Sequence, residues 1–444
     1  MAQRSGLPQT AARTTTLAAV LLFAALPGLS AAADIPADTF RLSLAEAIQT
    51  ALGQSPVSTQ AAVTRTDGAI TLARGINGML PSLSGSVDYG WRHVGPDTTG
   101  QGWTAGLTVN QVVFSPSAFA GLVSSAVRSA YSSASAHDQQ AKLVYDVTVD
   151  YLNLLKYSRL KDVAVAALRR ASEYLELTRE KERRGLASSI DLLRAEAQEA
   201  QARLGMLEAE QNLDVGMETF KATAGLGRNK VVVPTEELES PAEFEVSDQE
   251  SLVAEIERLN PGLRMSAQAK SIARVNQVAA IGSVLPDVSL YWQRSSSGSS
   301  LGSCVDNWKD NGTSTYGLRA ELPLLDIKSY VLDVVDATNE SRRAAAAARM
   351  AELQIRSTAA SAVGTYLTAR QRYDLAAATL TLNERLHELG QQQLRLGAIS
   401  QVDFLDVEAN LVDAQASFVS ATCDTYVRAA NIAYLLGSSV PAKP

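Results

Sequence analysis

Two stretches decide how this 444-residue chain folds: Arg184-Gly185-Leu186-Ala187-Ser188-Ser189-Ile190-Asp191 and, far downstream, Leu396-Gly397-Ala398-Ile399-Ser400-Gln401-Val402-Asp403. In each, a glycine stands where a helix stops. Glycine favours that position because it adopts left-handed backbone at no steric cost. Three residues later S-x-x-D opens a second apolar-periodic run, the sequence of a capping box at a helix start. A helix that stops, turns within a few residues and starts again is a helical hairpin, and the chain carries two.

The surrounding prolines agree. Of the fourteen, none falls between Pro116 and Pro234 or between Pro323 and Pro441, so each hairpin lies in a proline-free run of 117 residues. Proline removes a backbone donor and clashes with the preceding turn, so exempt segments are where long helices form. An arm over 117–183 would be about 100 Å long at 1.5 Å per residue. Its apolar positions are mostly Ala with Leu and Val, and aromatics make up only 6% of the chain, which suits closely packed coiled-coil helices rather than a compact core. Other anchors recur at a similar offset: Ser55-Pro56 with Asn260-Pro261, Leu80-Pro81 with Leu285-Pro286, and Tyr151-Leu152 with Tyr366-Leu367. A period of about 205–215 residues is a duplicated domain, not a solenoid.

Ahead of each hairpin lie two strand-like runs, expected at 82–92 and 103–114 in the first half and at 287–294 and 314–322 in the second. Leu83, Val87, Tyr89 and Trp91 alternate with Ser82, Ser84, Ser86 and Asp88, and the other runs repeat the pattern. Period two is the strand signal. Two ordinary hairpins packed on another element would read the same way. However, the runs have the length of a tilted membrane-crossing strand, with aromatics toward the ends of the apolar face. Polar loops over 94–102 and 295–312 join each pair. Four strands cannot close a barrel, because the smallest has about eight, and open edges are not tolerated in lipid. The chain must therefore oligomerise. Two copies supply eight strands and little lumen; three supply twelve, with room for an aqueous passage.

The N-terminus reads as an address. Arg4 and Arg13 precede an apolar run over 17–26 and small residues to Ala33, the pattern of a secretory signal peptide over 1–33. The organisation that follows is a first repeat over 34–224 with its hairpin at 117–224, a linker over 225–248, a second repeat over 249–437 with its hairpin at 324–437, and a tail over 438–444. The formal charge of −7 disfavours a basic nucleic-acid surface. Two cysteines, Cys304 in the second polar loop and Cys423 in mid-helix, are too few for a disulfide scaffold. His93, His137 and His387 are too far apart in sequence to form a metal-binding helix motif, and the common phosphate loops are absent, so no metal or other cofactor is expected.

Taken together, the opening Leu42-Ser43-Leu44 of an L-x-L-x-x-A-I-x-x-A-L run, the duplication, the strand pairs and the two tip motifs resemble the TolC family of outer-membrane efflux and secretion ducts. The resemblance covers nearly all of the mature chain. It implies an α+β membrane protein: a homotrimer whose four strands per chain form a twelve-strand barrel in outer-membrane lipid, over a twelve-helix tunnel crossing the periplasm. It further implies a passive duct without catalytic residues, receiving substrate from an inner-membrane transporter through a periplasmic adaptor, in an efflux pump or a type I secretion system.

Residue by residue, the resemblance implies adaptor docking at Gly185, Leu186, Ala187 and Ser188 and at Gly397, Ala398, Ile399 and Ser400. It also implies an acidic constriction at Asp403 and Asp406. Asp403 is either such a carboxylate or simply a helix cap, as Asp191 is; Asp406 lacks that excuse and is either a pore residue or a solvated one. The first-half counterpart of Asp406 is Arg194. The tyrosine and arginine that hold the best-known member shut are replaced by Leu394 and Ile399, which implies a different closure. Lys181, Arg183 and Arg184 form either a solvated helix end or an adaptor contact. A periplasmic coiled-coil scaffold without a pore is the alternative, opposed by the four amphipathic strands. A glycosidase pair at Asp403 and Asp406 is disfavoured because both lie on one helix with no wall opposite.

Overall fold

The computed structural model describes residues 38–93, 99–227, 229–236, 249–322 and 327–438. The signal peptide, most of the linker and the tail beyond 438 lie outside these residues. The first half comprises β1 (Asp38–Leu42), α1 (Leu44–Gln54), α2 (Pro56–Asn77), β2 (Ser82–His93), β3 (Thr99–Phe114), α3 (Pro116–Arg183), α4 (Ser189–Ala224) and β4 (Lys230–Pro234). The second comprises α5 (Gln249–Leu259), α6 (Pro261–Gly282), β5 (Asp287–Gly298), α7 (Leu301–Asp310), β6 (Thr313–Glu321), α8 (Ile327–Leu396) and α9 (Gln401–Leu435).

Local chemistry accounts for most of these boundaries. Ser43 and Glu46 form a reciprocal capping box, and α1 then buries Leu44, Ala47, Ile48 and Ala51, a stripe spaced for one helix face. Helices α2, α3 and α6 each begin with a proline in the first turn, where the missing N–H would have no helical partner. In each repeat one very long helix, α3 or α8, is flanked by two shorter ones in relay: α2 and α4 on α3, α6 and α9 on α8. The relays meet at glycines. Gly225 ends α4 at φ +73, and a Cβ there would stand 2.9 Å from the Gln54 carbonyl oxygen, where α2 starts; Gly437 follows α9 at φ +72 against Pro261, where α6 starts. Asn260 ties the second junction by donating to the Leu435 carbonyl at 3.0 Å. The repeats are joined in the sheet by the pairing of β3 with β5 and among the helices by α3, which packs on both α6 and α9; there Tyr145 and Tyr434 stack at 5.4 Å.

Each half has its own apolar cluster at mid-height. Tyr151 and Phe220 are fully buried with α1 and the β1–β4 pair, and the Tyr151 hydroxyl donates to the Leu42 carbonyl at 2.9 Å. Burial pushes the Tyr151 phenol up to about 12. Tyr366 lies in the matching cluster with Ile256 and Ile432. The parallel β1–β4 pair, Asp38 opposite Lys230 through Leu42 opposite Pro234, was not foreseen in the sequence.

The four longer strands form an antiparallel sheet in the order β2-β3-β5-β6, with an irregularity between Val112 and Phe114. One face carries Leu83, Val87, Trp91, Leu290, Tyr316 and Leu318, all more than half exposed; the other carries Ser84, Ser86, Asp88, Thr108, Gln293 and Thr315. An apolar patch of this extent has no place in water. Among the described residues no helix is long and apolar enough to cross a membrane.

The structure departs from the sequence reading at the second polar loop. Residues 301–310 form α7, capped by Ser300, whose side chain accepts from the Ser303 N–H. Cys304 is therefore not an exposed loop thiol: it is fully buried, its Sγ 3.1 Å from the Trp103 carbonyl oxygen. The sheet is open in a single chain, so no closed barrel is present.

Candidate functional site

The two hairpin turns are built alike. Leu186 donates to the Lys181 carbonyl and Gly185 to that of Glu182, both at 2.8 Å; Ala398 donates to Gln393 at 2.8 Å and Gly397 to Leu394 at 3.2 Å. These are paired Schellman closures, with the glycines at φ +71 and +69. Each succeeding helix starts with a complete capping box. Ser188 Oγ donates to Asp191 Oδ2 and Ser400 Oγ to Asp403 Oδ2, both at 2.7 Å, while the two serine oxygens accept from the Asp191 and Asp403 N–H groups. The bonds from Ser188, side chain first and then backbone, hold the Asp191 carboxyl below its ordinary range.

At the ends of the molecule Leu186 is 75% exposed and Leu396 82%, so each tip presents an apolar residue to its surroundings. Gly185, Ser188, Gly397, Ala398 and Ser400 are exposed too, whereas Ala187 and Ile399 are half-buried. The basic cluster is partly neutralised: Arg183 and Arg184 both pair with Glu180, at 2.7 and 2.6 Å. The two hairpins touch just above the turns, where Gln401 Nε2 donates to Thr178 Oγ1 at 3.1 Å.

Asp403 does the work of a cap, since both serine donors close on one of its oxygens. Asp406, one turn later, is exposed. The buried carboxylate of this region is another one. Glu408 falls on the inward stripe of α9 with Phe404 and Leu411 and is 8% exposed. On one side it takes the Arg170 guanidinium of α3; on the other His387 Nε2 of α8 lies 2.6 Å from its Oε2, close enough for an ion pair but not aligned as a hydrogen bond. Three helices from both repeats converge on this one side chain. Phe404 closes the group, its ring 5.9 Å from those of Tyr174 and His387. Beside it lies a cavity of about 220 Å³ lined by Tyr174, Gln198, Gln391, Leu394, Arg395 and Leu405, among others. The sequence held one signal for this cluster, an acidic residue at an inward position of an amphipathic helix. It was missed because burial of Glu408 needs Arg170, 238 residues away.

The outer membrane efflux protein family model matches residues 47–226 and again 252–438, once per repeat. The fold is similar to that of several solved channels. CusC aligns with a TM-score of 0.78 at 15% identity, over 89% of this chain and 92% of that one. The Campylobacter jejuni CmeC outer membrane channel gives 0.73 at 17%, over 90% and 87%. The open-state Neisseria gonorrhoeae MtrE outer membrane channel gives 0.71 at 16%, over 89% of each. At these identities the likeness is one of fold. No curated protein sequence matches the chain. A family match covering both repeats, on a fold whose sheet exposes an apolar face and whose hairpins run about 100 Å beyond it, leads to one conclusion: the chain belongs to the outer membrane efflux protein family and is an exit duct of the outer membrane.

Proposed function

We propose that three copies of the chain close one twelve-strand barrel and a continuous helical tunnel, and that the hairpin tips receive a periplasmic adaptor and its inner-membrane transporter. The observation that carries this is the sheet. Among the described residues its edges, β2 and β6, carry no further strand, and four alternating strands leave those edges running in opposite directions. The β6 edge of one copy can therefore pair with β2 of the next and keep the ladder antiparallel. Lipid demands that closure, since unpaired backbone groups there cost several kcal/mol each. Twelve strands leave an aqueous lumen that eight would fill.

In such an assembly Asp406 belongs to the periplasmic constriction. Three copies contribute a ring of carboxylates that attracts cations and disfavours anions. Asp403 contributes chiefly by holding the start of α9. Gly185 to Ser188 and Gly397 to Ser400, with the exposed Leu186 and Leu396, form the docking rim for an adaptor with apolar contacts of its own.

The test is single-channel conductance of the purified mature protein in a planar bilayer, with its mass measured in detergent. A trimer with a cation-preferring pore, whose preference falls in Asp406→Asn and persists in Asp403→Asn, supports the whole reading. An unchanged preference in Asp406→Asn removes that residue from the constriction. A monomer that will not insert sinks the barrel.

A further inference from the structure

Helix α7 has no counterpart among the described residues of the first half. It packs on β5 and β3, the two inner strands of the sheet, at the end opposite the long helices. For a duct whose helices cross the periplasm, that end is extracellular.

The side of the sheet it covers follows from the register. Arg294 lies opposite Leu107 and Ser296 opposite Ala105, in line with Trp292 and Leu290 on the apolar face. Ser296 is 2% exposed beneath α7, and a Cβ on Gly298, two residues further on, would stand 2.2 Å from Ser303 Oγ. Arg294 turns upward and donates to the Trp308 and Lys309 carbonyls at the helix C-terminus and to Ser314 Oγ at 2.9 Å. Its guanidinium also lies over the Trp308 ring, 5.8 Å from the centroid. Thus α7 sits on the lipid side of the barrel wall. A cation at its C-terminus satisfies carbonyls that would otherwise be orphaned.

The rest of the helix surface is divided. Cys304 and Asn307 face the sheet, Asn307 donating to the Ser297 carbonyl at 3.1 Å. Leu301, Val305 and Trp308, spaced i, i+4, i+7, form one stripe beside that contact; Leu301 is 46% and Val305 66% exposed. Asp306 and Asp310 lie around the other side, and Lys309, i+4 from Val305, borders the stripe. Helix α7 rests on the inner strands and not on the edges, β2 and β6, where a neighbouring copy would pair.

We propose that α7 is an interfacial anchor, lying in the headgroup layer of the outer leaflet with Leu301, Val305 and Trp308 inserted among lipid chains and its carboxylates in water. The occupant of the stripe is lipid, because the stripe continues the apolar face that already meets lipid and ends in a tryptophan, the residue suited to the headgroup boundary. This rests on the outer-membrane reading of the sheet, and the test separates the two.

The test attaches a nitroxide to full-length protein reconstituted in phosphatidylethanolamine–phosphatidylglycerol vesicles, at Val305→Cys, at Asp306→Cys, and at the sheet controls Leu83→Cys and Ser84→Cys. The unsubstituted protein, with both thiols buried, is expected to take up no label. The label at 305 is expected to relax several-fold more with oxygen than with a water-soluble nickel chelate, as at 83, and the label at 306 to show the reverse. A water-like label at 305 beside a lipid-like one at 83 overturns the anchor and spares the membrane reading. A label at 305 shielded from both agents means protein covers the stripe, which also overturns it. If 83 itself is water-like, the sheet does not meet lipid and the anchor falls with it.

Discussion

Replacing Glu408 by glutamine keeps the shape of the side chain and removes its charge. The side chains of Glu408 and Arg170 are only 10% and 20% exposed, and that of His387 15%. The change leaves the Arg170 guanidinium, one nitrogen of which is already buried without a partner, with no counter-charge. Breaking a buried ion pair from one side costs about 3–5 kcal/mol. The residual exposure of Arg170 and the hydrogen bond glutamine still offers point to the lower end, about 3 kcal/mol, or roughly a hundredfold in an equilibrium. Because the cluster joins α3 of one repeat to α8 and α9 of the other, the loss should appear as local opening near the tips. Hydrogen exchange of the reconstituted protein reads it directly: amides of α8 and α9 around His387 and Glu408 should exchange about a hundred times faster, while those around Tyr151 keep their protection. Arg170→Met with Glu408→Leu should recover most of the loss, since an apolar pair carries no desolvation penalty. An acceleration below about threefold, or an equal one at the mid-height core, would refute the inference that this cluster holds the two hairpins together.

The tip and relay glycines should respond differently to alanine. At Gly185 a Cβ meets nothing within 4 Å, so Gly185→Ala should cost only the left-handed backbone penalty of about 1 kcal/mol. Gly225→Ala adds a clash with the Gln54 carbonyl and should cost about 1–3 kcal/mol more, read as the larger drop in melting temperature. Asp191 has its folded pKa lowered, so its capping contribution is complete above the ordinary aspartate value and is lost as pH falls through the lowered one. Protease nicking at the first tip should therefore rise in acid, and Asp191→Asn should abolish that dependence. Burial pushes the Cys423 thiol up to about 12, so iodoacetamide should leave it unmodified at pH 8 until the helices are unfolded.

Much of this molecule was legible in short windows. Gly397 followed by Ser400 and Asp403 specifies a stop, a turn and a restart through bonds that span at most five residues, and the observed closures are those bonds. Leu83, Val87 and Trp91 share a face because alternation is a property of the strand itself. The α7 segment was misread for the complementary reason. Its Gly, Ser, Asp and Asn content argues for a loop, and its helix is held by packing of Cys304 on the sheet and by Arg294 at its C-terminus.

The sequence by itself determined the duplicated hairpins, their capped tips and the amphipathic strands, because each rests on contacts between near neighbours in the chain. Only the tertiary structure decided that β1 pairs with β4, that α7 lies on the apolar side of the sheet, and that Glu408 is buried near the hairpin tips. Each of those depends on groups far apart in sequence meeting in space, and a carboxylate or a short apolar run carries no local mark of the partner that will bury it.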